Sequence, residues 1–547
     1  MKRSMVALSL LLFVGLLIPH AGRADRRSGF ATPDNFYVRS ETHLKCRTKQ
    51  FSYSSGDIAP CLDAGQPGFK FELDQQSIKL WGKSNGFIDI PRMASRLVAP
   101  TDNTVVAITF SAMHFVGTTK DEPLMLRALV DGQEAAPGPI IFTAGFGSTR
   151  FSANSFTFTT TVSSGIHIVQ MQWSSEAFEK VSYLRNASLL ISVDSQNNAS
   201  HRVVSKGDDL KAPINKSDSS WTAIPDAELS FNAPDQGTAA LTFAGVVKMN
   251  KGDFILIRAV VDKGAAAAIP VENTLAARSY HYGARSLTFT TDGLKAGTHK
   301  VSFEWKSSVT DVVATASLDS WSVTAITAPR ETKSTFFGVV AQTGQASTAS
   351  PTFELIPSLY ADVRVEEVSD VAVTFSAAFA GPGVVIATVT NDGVPVETQE
   401  TIVFDPELRI DEKNNNNVIV HDAGGQSYTF SLKDLPARES PYRIGVAYRV
   451  VQAGVTTSPS GTVYNATMTV ISKQRVGPDL AVGANMGAAS KKKEALIEPI
   501  HGKRKILAVI FDPGRKDSPK ADRAFKAGVD RVLFGEAPSA ADYFKVV

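Results

Sequence analysis

The stretch Ser155-Phe156-Thr157-Phe158-Thr159-Thr160 decides the fold class, because it recurs twice along the 547-residue chain. The second copy is Ser286-Leu287-Thr288-Phe289-Thr290-Thr291, and a looser third copy is Ser427-Tyr428-Thr429-Phe430. Polar and apolar residues alternate in each copy, and residues two apart in a β-strand point to the same face. Each copy therefore predicts a strand with one apolar face and one hydroxyl face.

Other blocks repeat around this strand in constant register. Phe110 corresponds to Phe243 and Phe375, and Trp173 to Trp305, at a spacing of about 132 residues, which is the size of a whole domain. Short alternating runs bounded by Gly, Asn and Asp are typical of antiparallel strands, and two packed sheets bury one face of each. We predict a mainly β protein with three tandem antiparallel β-sandwich domains, followed by a short, incomplete α/β segment.

The domain boundaries follow from composition and from these repeats. A Ser-, Asn-, Lys- and Asp-rich stretch at 194–220 predicts an exposed linker, and 329–350 forms the next connection, in which Phe336–Val340 could supply a strand. Such linkers predict limited order between the sandwiches. We expect a signal peptide at 1–24, a β-rich cap or extra strands of the first sandwich at 25–85, sandwich repeats at 86–195, 219–328 and 351–473, a flexible linker at 474–500, and the start of an α/β domain at 501–547.

The amino-terminal residues and the net charge indicate where the protein is located. Lys2 and Arg3 precede an apolar run from Met5 to Ile18, and small residues near Ala24 suit a signal peptidase. A net charge of +2 gives no field that would attract nucleic acid. No later apolar run is long enough to span a membrane. We expect a secreted protein, extracellular or periplasmic, whose partner is an extracellular protein or a glycan.

The chain has two cysteines, Cys46 and Cys61. In an oxidising compartment they can pair only with each other, and we predict a disulfide. A redox pair or half of a metal site is the alternative, and the export signal favours the structural disulfide.

Four residues at repeated positions are candidates for ligand contact: His167, His299, Trp173 and Trp305. The histidines could form a shared ligand site, although a histidine whose hydrogen bonds are satisfied at a strand start is the favoured interpretation. The tryptophans could stack on sugars if they face outward, but a recurring sandwich tryptophan is usually core.

Two other groups of polar residues have a structural and a functional interpretation. Arg127 and Arg258 correspond between repeats, and a structural ion pair is favoured over anion binding. Oxygen-bearing side chains of the third repeat could accept calcium, although a solvated hairpin loop is favoured. These side chains are Asp411, Glu412, Asn414 to Asn417 and Asp422.

The last residues carry a family resemblance. Gly502–Pro513, Leu533-Phe534-Gly535 and Ser539–Phe544 resemble the opening of the catalytic domain of immune-inhibitor-A-type secreted zinc metalloproteases. That family needs a His-Glu-x-x-His helix to bind zinc and supply the general base. None of the nine histidines here is followed by Glu, and no two are four apart. The resemblance therefore implies zinc only in a domain beyond Val547, and the chain itself carries no catalytic motif.

Two functions fit these observations. The first is the non-catalytic, amino-terminal targeting or spacer part of an immune-inhibitor-A-like metallopeptidase, in which case the chain is truncated before the zinc motif. The alternative is a secreted or cell-surface adhesin or carbohydrate-binding protein without enzymatic activity.

Overall fold

Eight strand positions recur in the same order three times along the chain, and we name them a to h. The computed structural model describes residues 36–40, 78–81, 86–116, 122–145, 151–175, 181–194, 202–216, 219–249, 254–277, 281–307, 315–329, 335–381, 383–396, 402–404, 408–410, 419–421, 424–451 and 460–474. All of them belong to one compact unit, Met1–Asn485, and the second unit, Met486–Val547, lies outside the described residues.

The first set of strands uses two short segments at position a and adds one short strand after d. Its strands are Phe36–Ser40 (β1, a), Ile78–Trp81 (β2, a), Ile88–Ala99 (β3, b), Thr104–Val116 (β4, c), Glu122–Val130 (β5, d), Gln133–Glu134 (β6), Ile140–Gly145 (β7, e), Ser152–Val162 (β8, f), Gly165–Ser175 (β9, g) and Val181–Val193 (β10, h).

The second set has one strand at each position. Its strands are Arg202–Lys216 (β11, a), Thr222–Ala233 (β12, b), Gly237–Met249 (β13, c), Phe254–Val261 (β14, d), Asn273–Ala277 (β15, e), Gly283–Leu294 (β16, f), Gly297–Ser307 (β17, g) and Ala316–Ala328 (β18, h), with a short 3-10 turn at Asp262–Gly264.

The third set adds three short strands between d and f. Its strands are Thr335–Thr348 (β19, a), Glu354–Val365 (β20, b), Ser369–Ala380 (β21, c), Val384–Asn391 (β22, d), Val394–Pro395 (β23), Ile402–Phe404 (β24, e), Leu408–Ile410 (β25), Ile419–His421 (β26), Gly424–Leu435 (β27, f), Arg438–Val451 (β28, g) and Gly461–Gln474 (β29, h).

Each set folds into two antiparallel sheets with the same strand order. One sheet runs a-h-c-f and the other b-g-d-e, so consecutive strands switch between the two sheets except for d and e, which are neighbours in the same sheet. This order is that of the eight-stranded jelly roll. The prediction of a mainly β, sandwich-type fold is confirmed. In the described part of the chain, no helix is long and apolar enough to cross a membrane.

Strand a of each jelly roll lies outside the predicted domain boundaries. β11 occupies most of the stretch expected to be an exposed linker, and Asp194 just before it is 1 % exposed and binds the Arg202 guanidinium at 2.9 Å. β19 extends the strand foreseen at Phe336–Val340 to the whole of Thr335–Thr348. β1 and β2 pair with β10 and so are extra strands of the first jelly roll. β11 was missed because its charged and polar residues lack the alternation that marks the other strands.

The repeated alternation divides each inner sheet, a-h-c-f, into two faces. The phenylalanines of strand c, Phe110, Phe243 and Phe375, are fully buried within their own jelly roll. Their neighbours one residue away carry hydroxyls, and in the first jelly roll Thr109 Oγ1 lies 2.9 Å from Thr157 Oγ1. The corresponding threonine pairs of the other two jelly rolls are each 3.0 Å apart.

The hydroxyl faces are buried against neighbouring jelly rolls, contrary to the expectation of limited order between sandwiches. Ser322 of the second jelly roll donates to the carbonyl of Thr157 in the first. The corresponding Thr467 of the third donates to the carbonyl of Thr288 in the second, at 3.0 Å. The predicted hydroxyl face is thus an interface, because its hydroxyls find partners on the next jelly roll.

The third jelly roll also contacts the first, so the arrangement closes into a ring. Tyr428 Oη donates to the Asn186 carbonyl at 2.6 Å, and Met113 of the first jelly roll joins the core of the third. The three f strands, β8, β16 and β27, contact one another. Each f edge also lies against strand e of the preceding jelly roll: β16 on β7, β27 on β15 and β8 on β24.

Small residues permit this close approach. Ala107, Ala240 and Ala372 occupy the same position of strand c, are at most 2 % exposed, and share one apolar cluster with Val203 and Phe337. Residues of all three jelly rolls therefore meet in that cluster.

We expect Ala240→Leu to destabilise the protein by about 1–3 kcal/mol, because the added carbons have no room between the jelly rolls. Chemical denaturation of the full chain measures the change. Ala223→Leu on the exposed side of β12 is the control and should leave stability nearly unchanged. An Ala240 variant as stable as the control would contradict the packed interface.

Candidate functional site

An aspartate at the end of strand d recurs in the three jelly rolls. Asp131, Asp262 and Asp392 each have a positive φ, of 51°, 48° and 52°. Aspartate tolerates this left-handed conformation better than most residues because its short side chain hydrogen-bonds locally. The turn therefore directs each carboxylate back toward strand g of the same sheet.

One carboxylate oxygen of each aspartate fixes the turn to strand g. Asp131 Oδ1 accepts the Ile168 N–H at 2.8 Å, and Asp262 Oδ1 accepts that of Lys300 at 2.8 Å. Asp392 Oδ1 accepts the Arg443 N–H at 2.9 Å.

The second carboxylate oxygen meets a basic side chain. In the first two jelly rolls it lies 2.6 Å from the Nδ1 atom of His167 or His299. In the third, Tyr442 precedes Arg443 where the histidine would stand, and Asp392 Oδ2 is bound by Arg438 Nη1 at 2.6 Å. Sequence reasoning missed this substitution because Arg438 lies four residues before the repeat position.

Both ring nitrogens of each histidine face acceptors. His167 Nε2 lies 2.8 Å from the Ser163 carbonyl, and His299 Nε2 lies 2.9 Å from the Lys295 carbonyl. A neutral imidazole has one N–H, whereas the imidazolium has two. Only the protonated ring donates to the carboxylate and the carbonyl together.

The electrostatics of the second jelly roll agree with this protonation state. Burial disfavours the charged ring, but the Lys295 carbonyl and Asp262 outweigh it and raise the pKa of His299 above its ordinary 6.5. Burial also opposes ionisation of Asp262, yet the Lys300 N–H and His299 hold its pKa below its ordinary 3.8. The pKa of Asp131 is lowered in the same way, against burial, by the Ile168 N–H and His167.

The two histidines therefore hold the aspartate turn after strand d against the start of strand g. Both nitrogens of each ring lie within hydrogen-bond distance of oxygen atoms of the fold. Within the described ranges, no group of three or more His, Cys, Asp or Glu side chains could hold a metal ion. The interpretation as satisfied strand-start histidines fits this geometry better than a shared ligand site does.

The two repeated tryptophans lie in the cores. Trp173 is 1 % exposed and Trp305 is 2 % exposed, and Tyr448 takes the same place in the third jelly roll at 3 %. Each lies opposite strand d in its outer sheet, b-g-d-e, with its ring on the inward face. No indole face is left for a sugar, so the stacking platform is not formed.

The repeated arginines form ion pairs, which agrees with the favoured interpretation. Arg258 Nη2 binds Glu304 at 2.6 Å, and Arg127 binds Glu134. Each guanidinium also lies 4.4 Å from an aromatic ring, Trp221 for Arg258 and Phe87 for Arg127.

Sequence reasoning missed the aromatic partners of these cations. Phe87 and Trp221 each stand immediately before strand b, and so does Phe353, whose ring lies 4.8 Å from Arg449. An aromatic residue at the start of strand b in all three repeats was the available signal. Cation–π contacts of this kind hold strand b to its sheet.

Several predicted features lie outside the described residues. These are the Cys46–Cys61 disulfide, the proposed calcium ligands Asp411, Glu412, Asn414 to Asn417 and Asp422, and the α/β segment at 501–547.

Comparisons with known proteins show no family for this chain. No protein-family model matches, and no curated protein matches. Among solved structures, dimeric latent PorU from Porphyromonas gingivalis is 8% identical with a TM-score of 0.18 over 67% of this chain, which spans 33% of PorU. A triple jelly-roll turret protein of an archaeal virus is 11% identical with a TM-score of 0.15, over 69% of this chain and 82% of that one. At these TM-scores neither likeness supports a conclusion about the fold or function of this chain.

We predict that His299→Gln reduces stability at low pH and has a smaller effect at high pH. A group whose pKa is raised by folding contributes stability that is present below its unfolded pKa and is lost as pH rises through the folded value. We expect a cost of about 1–2 kcal/mol at about pH 5.5, shrinking toward about pH 9. Denaturant midpoints across this range measure it.

Arg438→Gln provides the matched control in the third jelly roll. Its guanidinium does not titrate in this range, so its loss should cost the same at both pH values. Equal pH dependence for the two variants would refute the imidazolium form of His299.

Proposed function

We propose that residues 36–474 form a non-catalytic scaffold that binds an extracellular protein or a glycan through its outer sheets. The observation that carries this proposal is a difference between the two sheets of each jelly roll. The inner sheets repeat their contacts in all three copies, whereas the outer faces of the outer sheets do not.

Polar side chains of the inner sheets and the turns form hydrogen bonds and ion pairs within the protein. The threonine pairs, the turn aspartates and the aromatic residue before strand b recur at matching positions, while the cation that each aromatic or aspartate meets varies in the third copy. Residues that recur in this way are explained by folding, so they offer no support for catalysis by the sandwiches.

The outer face of strand g differs from copy to copy. In the first jelly roll it exposes Ile166 and Ile168, which are 57% and 49% exposed. At the same positions the second jelly roll has Thr298 and Lys300, and in the third Arg443 corresponds to Ile168. The fold accepts a charged residue at the position of Ile168, so folding does not require the two exposed isoleucines. Neighbouring exposed apolar side chains mark contact surfaces.

Two biological settings suit such a scaffold. The resemblance of Gly502–Phe544 to the start of an immune-inhibitor-A-like catalytic domain supports a targeting or spacer role in a secreted metallopeptidase. The alternative is an adhesin or carbohydrate-binding protein. The described residues do not suit zinc, because they contain no ligand cluster, and no step of the proposed function passes through a metal.

The coding sequence downstream of Val547 separates the two settings. An open frame that encodes His-Glu-x-x-His supports the metallopeptidase setting, and a stop codon there supports the adhesin. Proteolysis by the purified 547-residue chain that a chelator abolishes would overturn the non-catalytic proposal itself.

We predict that Ile166→Thr combined with Ile168→Lys abolishes partner binding without loss of stability, since these are the residues of the second jelly roll. The full chain and the variant are compared on glycan arrays and on immobilised extracellular matrix and cell-envelope proteins. The control variant, Thr298→Ser with Lys300→Arg, should bind as the wild type does. Binding that survives the isoleucine changes would exclude this face.

A further inference from the structure

Two kinds of strand, a and b, end their sheets in the ring, and strand a also packs side chains such as Phe337 against a neighbouring jelly roll. The f edges lie against e strands of neighbouring jelly rolls, whereas the a and b strands end their sheets. An unpaired edge strand offers backbone N–H and C=O groups to any extended chain, and proteins usually block such edges with proline, charge or bulges.

The three b edges are blocked in the same way. Pro91, Pro225 and Pro357 each follow a buried isoleucine and lie where the register with strand g shifts. Proline has no N–H to donate, and a bulge turns the edge away from a flat partner.

The a edge of the second jelly roll is blocked by charge and by proline. β11 carries Lys206, Asp208, Asp209 and Lys211, and its register with β18 shifts between Asp209 and Ile214, where Pro213 lies. The a position of the first jelly roll is divided between two short strands, β1 and β2.

β19 lacks charge and proline, and its register shift with β29 is confined to its second half, between Gln342 and Gln345. Its sequence from Thr335 to Thr348 contains no charged residue and no proline. Its first eight residues, through Gln342, pair with β29 without a register shift, and among the described strands β19 pairs with β29 alone. A flat, uncharged segment rich in β-formers and without proline is the kind that adds to another strand.

We propose that β19 pairs antiparallel with β19 of a second copy of this chain, which joins two inner sheets across a twofold axis. A homotypic pair must tolerate its own side chains in register, and β19 brings no like charges together. With Val339 on the axis, Phe337 lies opposite Ala341, Gly338 opposite Val340 and Phe336 opposite Gln342, so no two aromatic rings face each other. An isologous contact of this kind closes at two copies.

Sedimentation of the full chain over a concentration series tests the pairing. We expect a reversible dimer whose dissociation constant rises at least about a hundredfold in Ala341→Lys and in Gln342→Lys, because a lysine then faces an aromatic ring of the other copy. The two changes lie on opposite faces of β19, and a thermal melt of each variant reports whether it is folded. The control, Ala223→Lys with Ser230→Lys on the proline-blocked β12, should remain dimeric.

Val339→Cys gives an independent readout of register. Under mild oxidation the two copies of this residue should form an intermolecular disulfide, whereas Ala223→Cys should not. A chain that stays monomeric at all concentrations, a folded lysine variant that still dimerises, or no cross-link at position 339 would overturn the proposal.

Discussion

Hydrogen bonds between buried hydroxyls and backbone carbonyls of neighbouring jelly rolls hold the described part of this protein together. Ser322 binds the carbonyl of Thr157, and Thr467 binds that of Thr288, from matching positions of strand h. A buried hydroxyl without a partner is costly, so these side chains specify how the jelly rolls fit together as well as holding them. The fold of each sandwich and the assembly of the three therefore depend on the same alternating strands.

Closure of the ring also covers the sheet edges formed by the three f strands. Strand f ends its inner sheet in every copy and would be an open edge in an isolated jelly roll. In the ring each f strand lies against strand e of another copy, as where Gly283 pairs with Thr143. Arg285, which is 6 % exposed, donates to Asn154 of the first jelly roll at 3.0 Å. This buried side chain therefore connects strand f of the second jelly roll to the first.

The repeats were sufficient to predict the sandwiches from the sequence, because the Phe residues of strands c and f alternate with hydroxyls in all three copies. They could not show that the hydroxyl face is an interface, since a solvated face and a hydrogen-bonded one have the same composition. β11 was missed for a related reason: an edge strand that is protected by lysine and aspartate has the composition of a linker.

The candidate site could be predicted only in part. The recurrence of His167 and His299 was visible, and it identified a real structural feature. Its partners were not, because Asp131 lies 36 residues from His167 and Asp262 lies 37 from His299, and because arginine performs the task in the third copy. The burial of Trp173 and Trp305 depends on which way strand g faces, which a repeat alone does not determine.

The three jelly rolls form one closed ring in which their f strands contact one another. Hydrogen exchange of the full chain, followed by mass spectrometry of peptides from β8, β16 and β27, tests it most directly. The closed ring predicts that these three strands exchange through a common opening with the same free energy. Exchange of β27 at a lower free energy, while β8 and β16 stay protected, would show that the third jelly roll opens independently and would contradict the account.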